Sequence, residues 1–347
     1  MAVRLNRMLQ YKIISPGELK FFGPDDTLNE QALALLNQQK ATWPLAAINF
    51  EALDRIQTRE FDFGRFKILA QFNPERIRSS AAKTDAKTIA GRACFLCPEN
   101  MPPEQKGILF QGKYFLLANP YPIFPAHLTI PSLSHTPQRI KNRLNDLLEL
   151  TQDLPGFSIF YNGPSCGASA PDHFHFQAIN RNMLPIETEL EKGVTLSEKD
   201  GCFTIFQNKN TTVYTIENYL RRLIYTRSSS KTDLNNVFKK IYNYQGNDKT
   251  TAEPMMNMLC WFHENHWHLV IFPRKKQRPS HFYKTGESQL IVGPAAVEMA
   301  GVLVLPRKED FEKITKTEIT EIYDEVTINK EKFENLVAQF KESNTFT

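Results

Sequence analysis

The sequence predicts an α+β protein whose sheets are largely antiparallel and flanked by helices, and three observations lead there. Strand-like and helix-like stretches come in clusters, without the strict alternation that builds a parallel sheet. Turn clusters such as Asn119-Pro120-Tyr121-Pro122 join neighbouring strand-like runs. The order strand pair, helix, strand pair in residues 94–180 is also weakly echoed in residues 213–306, which suggests two similar halves, divided as residues 1–190 and 191–347.

The elements follow in chain order. A helix is expected around Thr27 to Gln39, with Asp25, Asp26 and Thr27 offering capping oxygens. Phe61 to Phe72 alternates apolar and polar as one strand, and a polar stretch rich in Arg, Ser and Lys runs on to Arg92. Gly107 to Pro131 reads as two strands. A helix is expected from Thr136, with Pro137 at its first position and Ile140, Leu144, Leu147 and Leu148 at helical spacing. Phe157 to Tyr161 and His173 to Ile179 read as strands on either side of a small-residue loop, Asn162 to Pro171. Residues 192–210 are polar with weak strand signals, and Val213 to Thr226 leans to strand. Residues 228–233 form a loop that caps a helix carrying Leu234, Val237, Phe238 and Ile241. Met255 to Phe272 reads as a hairpin turning at Glu264 and Asn265, and a last helix puts Phe333, Leu336, Val337 and Phe340 on one face.

Composition narrows the class. A chain of 347 residues holds one large domain or two of ordinary size. With 41% hydrophobic and 23% charged residues it is neither disordered nor fibrous. A net charge of +4 with no dense basic tract argues against nucleic acid and suits an anionic small molecule. The apolar runs fall short of the ~20 residues a spanning helix needs, and Met1 to Gln10 lacks the apolar core of a secretory signal. No membrane association and a soluble cytoplasmic protein are therefore expected. Five cysteines, an odd number, do not read as a disulfide framework. The oligomeric state stays open, a homodimer being compatible.

The sharpest motif is His173-Phe174-His175-Phe176-Gln177. Positions i, i+2 and i+4 of a strand share a face, so two imidazoles and a carboxamide line one surface while Phe174 and Phe176 turn into the core. Upstream, the loop holding Asn162, Ser165, Gly167 and Ser169 offers close-approaching amides and hydroxyls that suit an anion, Gly167 admitting it by lacking a side chain. One such histidine would read best as a satisfied core residue. Two of them with a glutamine beside this loop favour a site. The second motif, Cys94-Phe95-Leu96-Cys97, is half of a zinc site, a redox pair or two buried thiols, with His127 and His135 the nearest sources of nitrogen. Arg76, Arg78 and the basic loop 273–279 are either phosphate contacts or solvated. His266 and His268 share a face of the predicted hairpin near His263, but two ligands alone do not make a metal site. Cys166, Cys202 and Cys260 have no evident partners.

The order of these parts carries a resemblance. A CxxC, then His127 to His135 as His-hydrophobic-x-hydrophobic-Pro-x-x-x-His, an amphipathic helix, Asn162 with its small-residue loop and HxHxQ together resemble the histidine-triad superfamily. Gln177 puts the resemblance in the transferase branch, with galactose-1-phosphate uridylyltransferase, diadenosine tetraphosphate phosphorylase and the GDP-hexose phosphorylases. Val292-Gly293-Pro294-Ala295-Ala296-Val297-Glu298-Met299-Ala300-Gly301, continuing through Leu303 to Phe311, resembles the tail segment of GDP-hexose phosphorylases. Tyr161 to Ser169 is similar to the diadenosine polyphosphate phosphorylases. The resemblance spans about residues 60 to 310, and Asp172 departs from it, standing where the uridylyltransferase motif has proline.

This resemblance implies two fused histidine-triad-like halves. It implies that His175 is the nucleophile, that Gln177 hydrogen-bonds the phosphoryl group, and that Cys94, Cys97, His135 and His173 hold a structural zinc. Asn162, Ser165, Gly167 and Ser169 would lie near the substrate, Arg76 and Arg78 near its phosphates, and Glu298 near its sugar. The implied activity is that of a nucleotidyltransferase, cleaving a GDP-hexose-like nucleotide sugar with inorganic phosphate through a nucleotidyl-histidine. Phosphorolysis of dinucleoside polyphosphates is the alternative within enzymes. A zinc-stabilised nucleotide-binding protein without turnover is the alternative outside them, although a pure binder has no need of an exposed nucleophilic imidazole.

Overall fold

The fold is taken from a computed structural model, which describes residues 7–77, 88–89, 91–192, 198–245 and 253–343. Among them, ten strands form one sheet in which every neighbouring pair is antiparallel. The first half supplies β3 (Gly107–Phe110), β4 (Tyr114–Ala118), β5 (His127–Pro131), β6 (Phe157–Asn162) and β7 (His175–Asn180). The second supplies β8 (Cys202–Gln207), β9 (Thr211–Ile216), β10 (Leu223–Ser228), β11 (Met256–His263) and β12 (His266–Pro273). The sheet order is β3-β4-β5-β7-β6-β11-β12-β10-β9-β8. In each half three strands meander, a helix follows (Leu144–Asp153 or Lys231–Gln245), and the last two strands return to place the penultimate strand at the centre. The echo expected over 213–306 is thus real, with its bounds at 202–273. The halves meet where β6 pairs with β11, Asn162 opposite Asn257. A smaller sheet of β1 (Gln57–Asp62), β2 (Lys67–Phe72) and β13 (Val302–Leu305) lies apart, β13 running parallel to β2.

Two cores sandwich the large sheet. One face carries Phe174, Phe176, Tyr161, Met258 and Ile271 against the helices Leu28–Thr42, Leu144–Asp153, Lys231–Gln245 and Lys330–Glu342. The other carries Phe160, Ile179, Leu259 and Val270 against the small sheet and the helix Lys316–Val326. The period of two along β7 therefore divides it as the sequence predicts, with its phenylalanines in the first core. Helix Leu28–Thr42 starts at the expected cap, where Thr27 and Glu30 close a reciprocal capping box. Leu234, Val237, Phe238 and Ile241, and likewise Phe333, Leu336 and Phe340, are buried faces of their helices. Glu264 and Asn265, both at positive φ, make the turn of the β11–β12 hairpin.

Four readings change. Phe61 to Phe72 spans two strands, because the alternation continues through a turn at Gly64, whose φ is +87°. Residues 107–131 hold three strands, since Gln111 and Gly112, at φ +51° and +63°, turn β3 directly into β4. Residues 213–226 are divided between β9 and β10. The helix expected from Thr136 begins only at Leu144, because tertiary partners claim the residues before it. The Thr136 carbonyl accepts from Phe174 N–H at 2.6 Å, the Gln138 side chain is turned into the protein, and Ile140 N–H donates to Glu253 at 2.6 Å.

Glu253 gives this segment a pH signature. It is buried, accepts also from the Tyr161 hydroxyl, and is pushed up to about 7, with burial the leading cause. The native chain therefore holds this proton over a range where the unfolded chain has released it, and stability falls as pH rises from about 4.5 to about 7. At about 1.4 kcal/mol per unit, the descent is on the order of 2–3 kcal/mol. In urea denaturation at pH 4.5 to 7.5, Glu253→Gln should lack that part of the descent. Parallel curves for the two proteins would mean that Glu253 titrates as an exposed glutamate.

Candidate active site

Burial of Phe174 and Phe176, whose rings lie 4.8 Å apart edge to face and beside Tyr161, leaves His175 and Gln177 facing the opposite side of β7. The fully buried Gln138 fixes the strand's start. Its amide nitrogen donates to the carbonyls of Asn162 and His175, both at 2.9 Å, and its oxygen accepts from His175 N–H at 2.8 Å. The imidazole is oriented in turn, because His175 Nδ1–H donates to the His173 carbonyl at 2.9 Å. With the proton held there, Nε2 keeps its lone pair. Burial is the main cause that pulls His175 down to about 4, so the ring is neutral near pH 7.

His175 and Gln177 open onto a cavity of about 460 Å³, which Asn162, Gly167, Ser169, Arg76 and Glu298 also line. Ser165, expected among them, is exposed and lies outside the lining, and Arg78 lies outside the described residues. Residues that the sequence did not point to complete the walls, notably Trp43, Phe95, Arg92 and Asn119. Arg92 donates to the Ser169 carbonyl at 3.1 Å and sits 3.5 Å from Asp172, whose other oxygen is 3.6 Å from His135 Nε2. Of the basic loop, Gln277 and Arg278 reach the cavity, whereas Arg274 is buried and structural. It donates to the carbonyls of Val326, Pro294, Lys276 and Gln277, and to Asn257 Oδ1.

Cys94, Cys97, His135 and His173 bring one donor atom each within 4.8 Å of one another. Cys94 Sγ is 3.2 Å and Cys97 Sγ 3.5 Å from His173 Nδ1, and Cys97 Sγ is 3.2 Å from His135 Nδ1. Those are the edges of a small tetrahedron, and two sulfurs with two imidazole nitrogens are a donor set that fits zinc. His173 Nε2–H donates to the Ser132 carbonyl at 2.8 Å, which turns Nδ1 toward the sulfurs. His127, the other nitrogen source the sequence offered, stands elsewhere, beside Gln177.

A second cluster differs from the expected pair. His268 joins His263 and Glu191, the ligand atoms lying within 4.8 Å, while His266 stays outside with its Nδ1 3.2 Å from Arg227. Glu191 accepts from Arg181 and Trp261, and His268 Nδ1 is hydrogen-bonded to the Tyr225 hydroxyl at 2.7 Å. Burial above all pulls His268 down to about 3.

The tail segment docks on the small-residue loop after β6, across the seam. Asn162 Oδ1 accepts from Ala296 N–H and from Asn257 Nδ2, both at 2.8 Å, and Asn257 Nδ2 also donates to the Cys166 carbonyl at 2.7 Å. Glu298 Oε2 accepts from Ala295 N–H at 2.9 Å. Gly167, at φ +98°, lies so close that a Cβ would stand 2.5 Å from Ala295 Cβ. The glycine thus admits the tail of the second half, where the sequence reading had it admit an anion.

The HxHxQ motif resembles that of the transferase branch of the histidine-triad superfamily, and the comparisons with known proteins agree with that resemblance. Residues 35–180 match a domain of unknown function (DUF4922), and residues 194–345 match the family described as GDPGP1-like, C-terminal domain. No curated protein matches the chain. Yeast Ap4A phosphorylase Apa2 in complex with AMP has a similar structure, with a TM-score of 0.50 at 15% identity, over 82% of this chain and 95% of that one. The same yeast enzyme in complex with Ap4A gives 0.49 at 14%, over 83% and 97%. A uridylyltransferase gives 0.37 at 16%, over 73% and 91%. Among the described residues, no helix is long and apolar enough to cross a membrane.

The docking at Gly167 yields a measurable cost. Gly167→Ala should destabilise the protein by about 1–3 kcal/mol through positive-φ strain and the clash with Ala295. Chemical denaturation reads this directly, and an unchanged midpoint would mean that loop and tail separate freely.

Proposed function

We propose that the chain is a nucleotidyltransferase that forms a nucleotidyl-histidine on His175, using a GDP-hexose-like nucleotide sugar as donor and inorganic phosphate as acceptor. One observation carries the reading: a neutral imidazole, its Nδ1–H held by the His173 carbonyl, turns a free Nε2 lone pair into a cavity beside a carboxamide and the Arg76 guanidinium. In the first displacement Nε2 attacks the α-phosphorus and an N–P bond forms. The bond from phosphorus to the bridging oxygen breaks, and hexose 1-phosphate leaves with that electron pair. It needs no proton, which suits a glutamine at the motif's third position. In the second, an oxygen of inorganic phosphate attacks the same phosphorus, the N–P bond breaks, and the nucleoside diphosphate departs with the imidazole restored. The Nδ1–H bond to the His173 carbonyl spreads the positive charge that the ring carries in between.

The rest of the cavity serves the same chemistry. Gln177 donates to the phosphoryl oxygens as charge builds on them, and Arg76 supplies positive charge. Ser169 and Asn162 border the phosphate region, and Glu298, in the tail segment that resembles GDP-hexose phosphorylases, faces the sugar. Cys94, Cys97, His135 and His173 hold a structural zinc. That site is closed, so the metal anchors the start of β7 and takes no part in the displacement. A second reading, phosphorolysis of a dinucleoside polyphosphate, is favoured by Arg92 and Arg278, which extend the basic lining beyond Arg76.

A brief pulse of donor without phosphate, followed by peptide mass spectrometry, should find one nucleoside monophosphate on the peptide containing His175. His175→Ala should abolish the adduct. Gln177→Ala should keep some of it while raising the barrier by roughly 2 to 4 kcal/mol. An active enzyme with no adduct and sequential kinetics would rule this mechanism out. Nucleotide sugars and dinucleoside polyphosphates run side by side decide the donor.

Metal analysis of the purified protein should find about one zinc per chain, and Cys94→Ser or Cys97→Ser should lose both the metal and a large part of the stability. Metal-free protein with the same melting behaviour as the zinc-loaded form would defeat the assignment.

A further inference from the structure

We propose that His127 is a positioning residue that fixes which end of the Gln177 carboxamide faces the phosphoryl group, through the pair His127 Nε2–Gln177 Oε1 at 2.9 Å. The inference rests on the role given to Gln177 above. His127 lies in β5, fully buried, two residues along the register from the Thr129–Gln177 pair and so on the same face. Its Nδ1 accepts the Ile123 backbone N–H at 3.1 Å, so that nitrogen carries the lone pair. A neutral imidazole then has its single proton on Nε2. Burial first, and the neighbouring Arg76 guanidinium second, pull His127 down to about 3, so the doubly protonated ring is not adopted near neutral pH.

The Nε2–H has one acceptor at hand. Asn119 Nδ2, 3.4 Å away, is itself a donor, committed to Thr129 Oγ1 at 2.9 Å. Asn119 is held that way round because its Oδ1 accepts Tyr121 N–H at 2.9 Å. Gln177 Oε1 is the remaining partner, and with that oxygen occupied the NH₂ end is turned to the cavity. The two ends of a carboxamide are nearly the same shape, so sterics alone do not choose between them. An outward oxygen would repel the phosphoryl oxygens that an outward N–H binds. A backbone amide thus sets an imidazole tautomer, and the tautomer sets the amide.

Two substitutions separate this role from packing. His127→Asn keeps an acceptor for Ile123 N–H but is too short to donate to Gln177. His127→Gln keeps a donor that reaches Gln177 and gives up the Ile123 bond. We expect His127→Asn to lower kcat by about 10-fold or more with KM within about twofold, and His127→Gln to retain most of the rate. A purely structural role predicts the reverse order, and observing that order overturns the inference. In a Gln177→Ala background, His127→Asn should change kcat by no more than about twofold, whereas an undiminished loss there would show that His127 acts independently of Gln177. Long-range ¹H–¹⁵N spectra of the resting wild-type protein should show His127 as the Nε2–H tautomer, and an Nδ1–H tautomer overturns the inference whatever the kinetics. A wild-type protein that transfers no nucleotidyl group from any donor tested defeats the functional reading. The tautomer then decides the hydrogen-bond assignment alone.

Discussion

Asn162 stands at the last position of β6, where the two halves of the sheet meet, and its side-chain oxygen takes one hydrogen bond from a strand of the second half and one from that half's tail. The cavity depends on this junction. Asn257 reaches from Asn162 to the Cys166 carbonyl, and Arg274 grips Asn257, Pro294 and the 276–277 turn at once. Loop, tail and basic turn therefore form one polar network around the cavity wall. Asn162, Asn257 and Arg274 are buried, so a lost partner at any of them leaves a desolvated donor or acceptor costing about 1–3 kcal/mol. Such a network holds one geometry because partial satisfaction is worse than none.

On the strand itself, rigidity comes from division of labour between faces. Phe174 and Phe176 contribute apolar burial and fix β7, while the opposite face is free to carry polar groups. Those groups are kept neutral by the same burial that orders them: His175 and His127 both titrate well below the ordinary histidine range. Positive charge enters instead through arginines along the cavity walls. For the reaction proposed above, an uncharged His175 among guanidiniums suits attack on an anionic phosphorus better than an imidazolium would, since protonation would remove the lone pair. Each imidazole also has its tautomer set by a backbone group, the His173 carbonyl for His175, the Ser132 carbonyl for His173 and the Ile123 amide for His127. Backbone groups are the least mobile partners available, which is how flexible rings become oriented ones.

Much of this was legible in the chain because it is local. Period two in HxHxQ separates the faces of β7, CxxC brings two sulfurs together, and turn and cap residues mark Thr27 and the Glu264–Asn265 bend correctly. The α+β class with two echoing halves follows from the order of such local signals. The errors arose where a distant partner outweighed the local pattern. Thr136 to Arg143 has good helix-start chemistry, yet Phe174 and Glu253 claim its backbone and Gln138 is turned inward to hold the start of β7.

The sequence by itself determined the chemical inventory: which side chains share a strand face, and which donors stand at ligand spacing. Tertiary structure decided the assignments. It put His135 with the cysteines and His127 with Gln177, moved Ser165 out of the cavity and Arg274 into the core, and paired His268 with Glu191 and His263. It also gave Gly167 a packing role, because Ala295, 128 positions downstream, arrives against it. The physical reason is the same in each case. Hydrogen-bond and ligand partners are chosen by distances of about 3 Å in space, and spacing along the chain fixes those distances only within one strand, one turn or one helix.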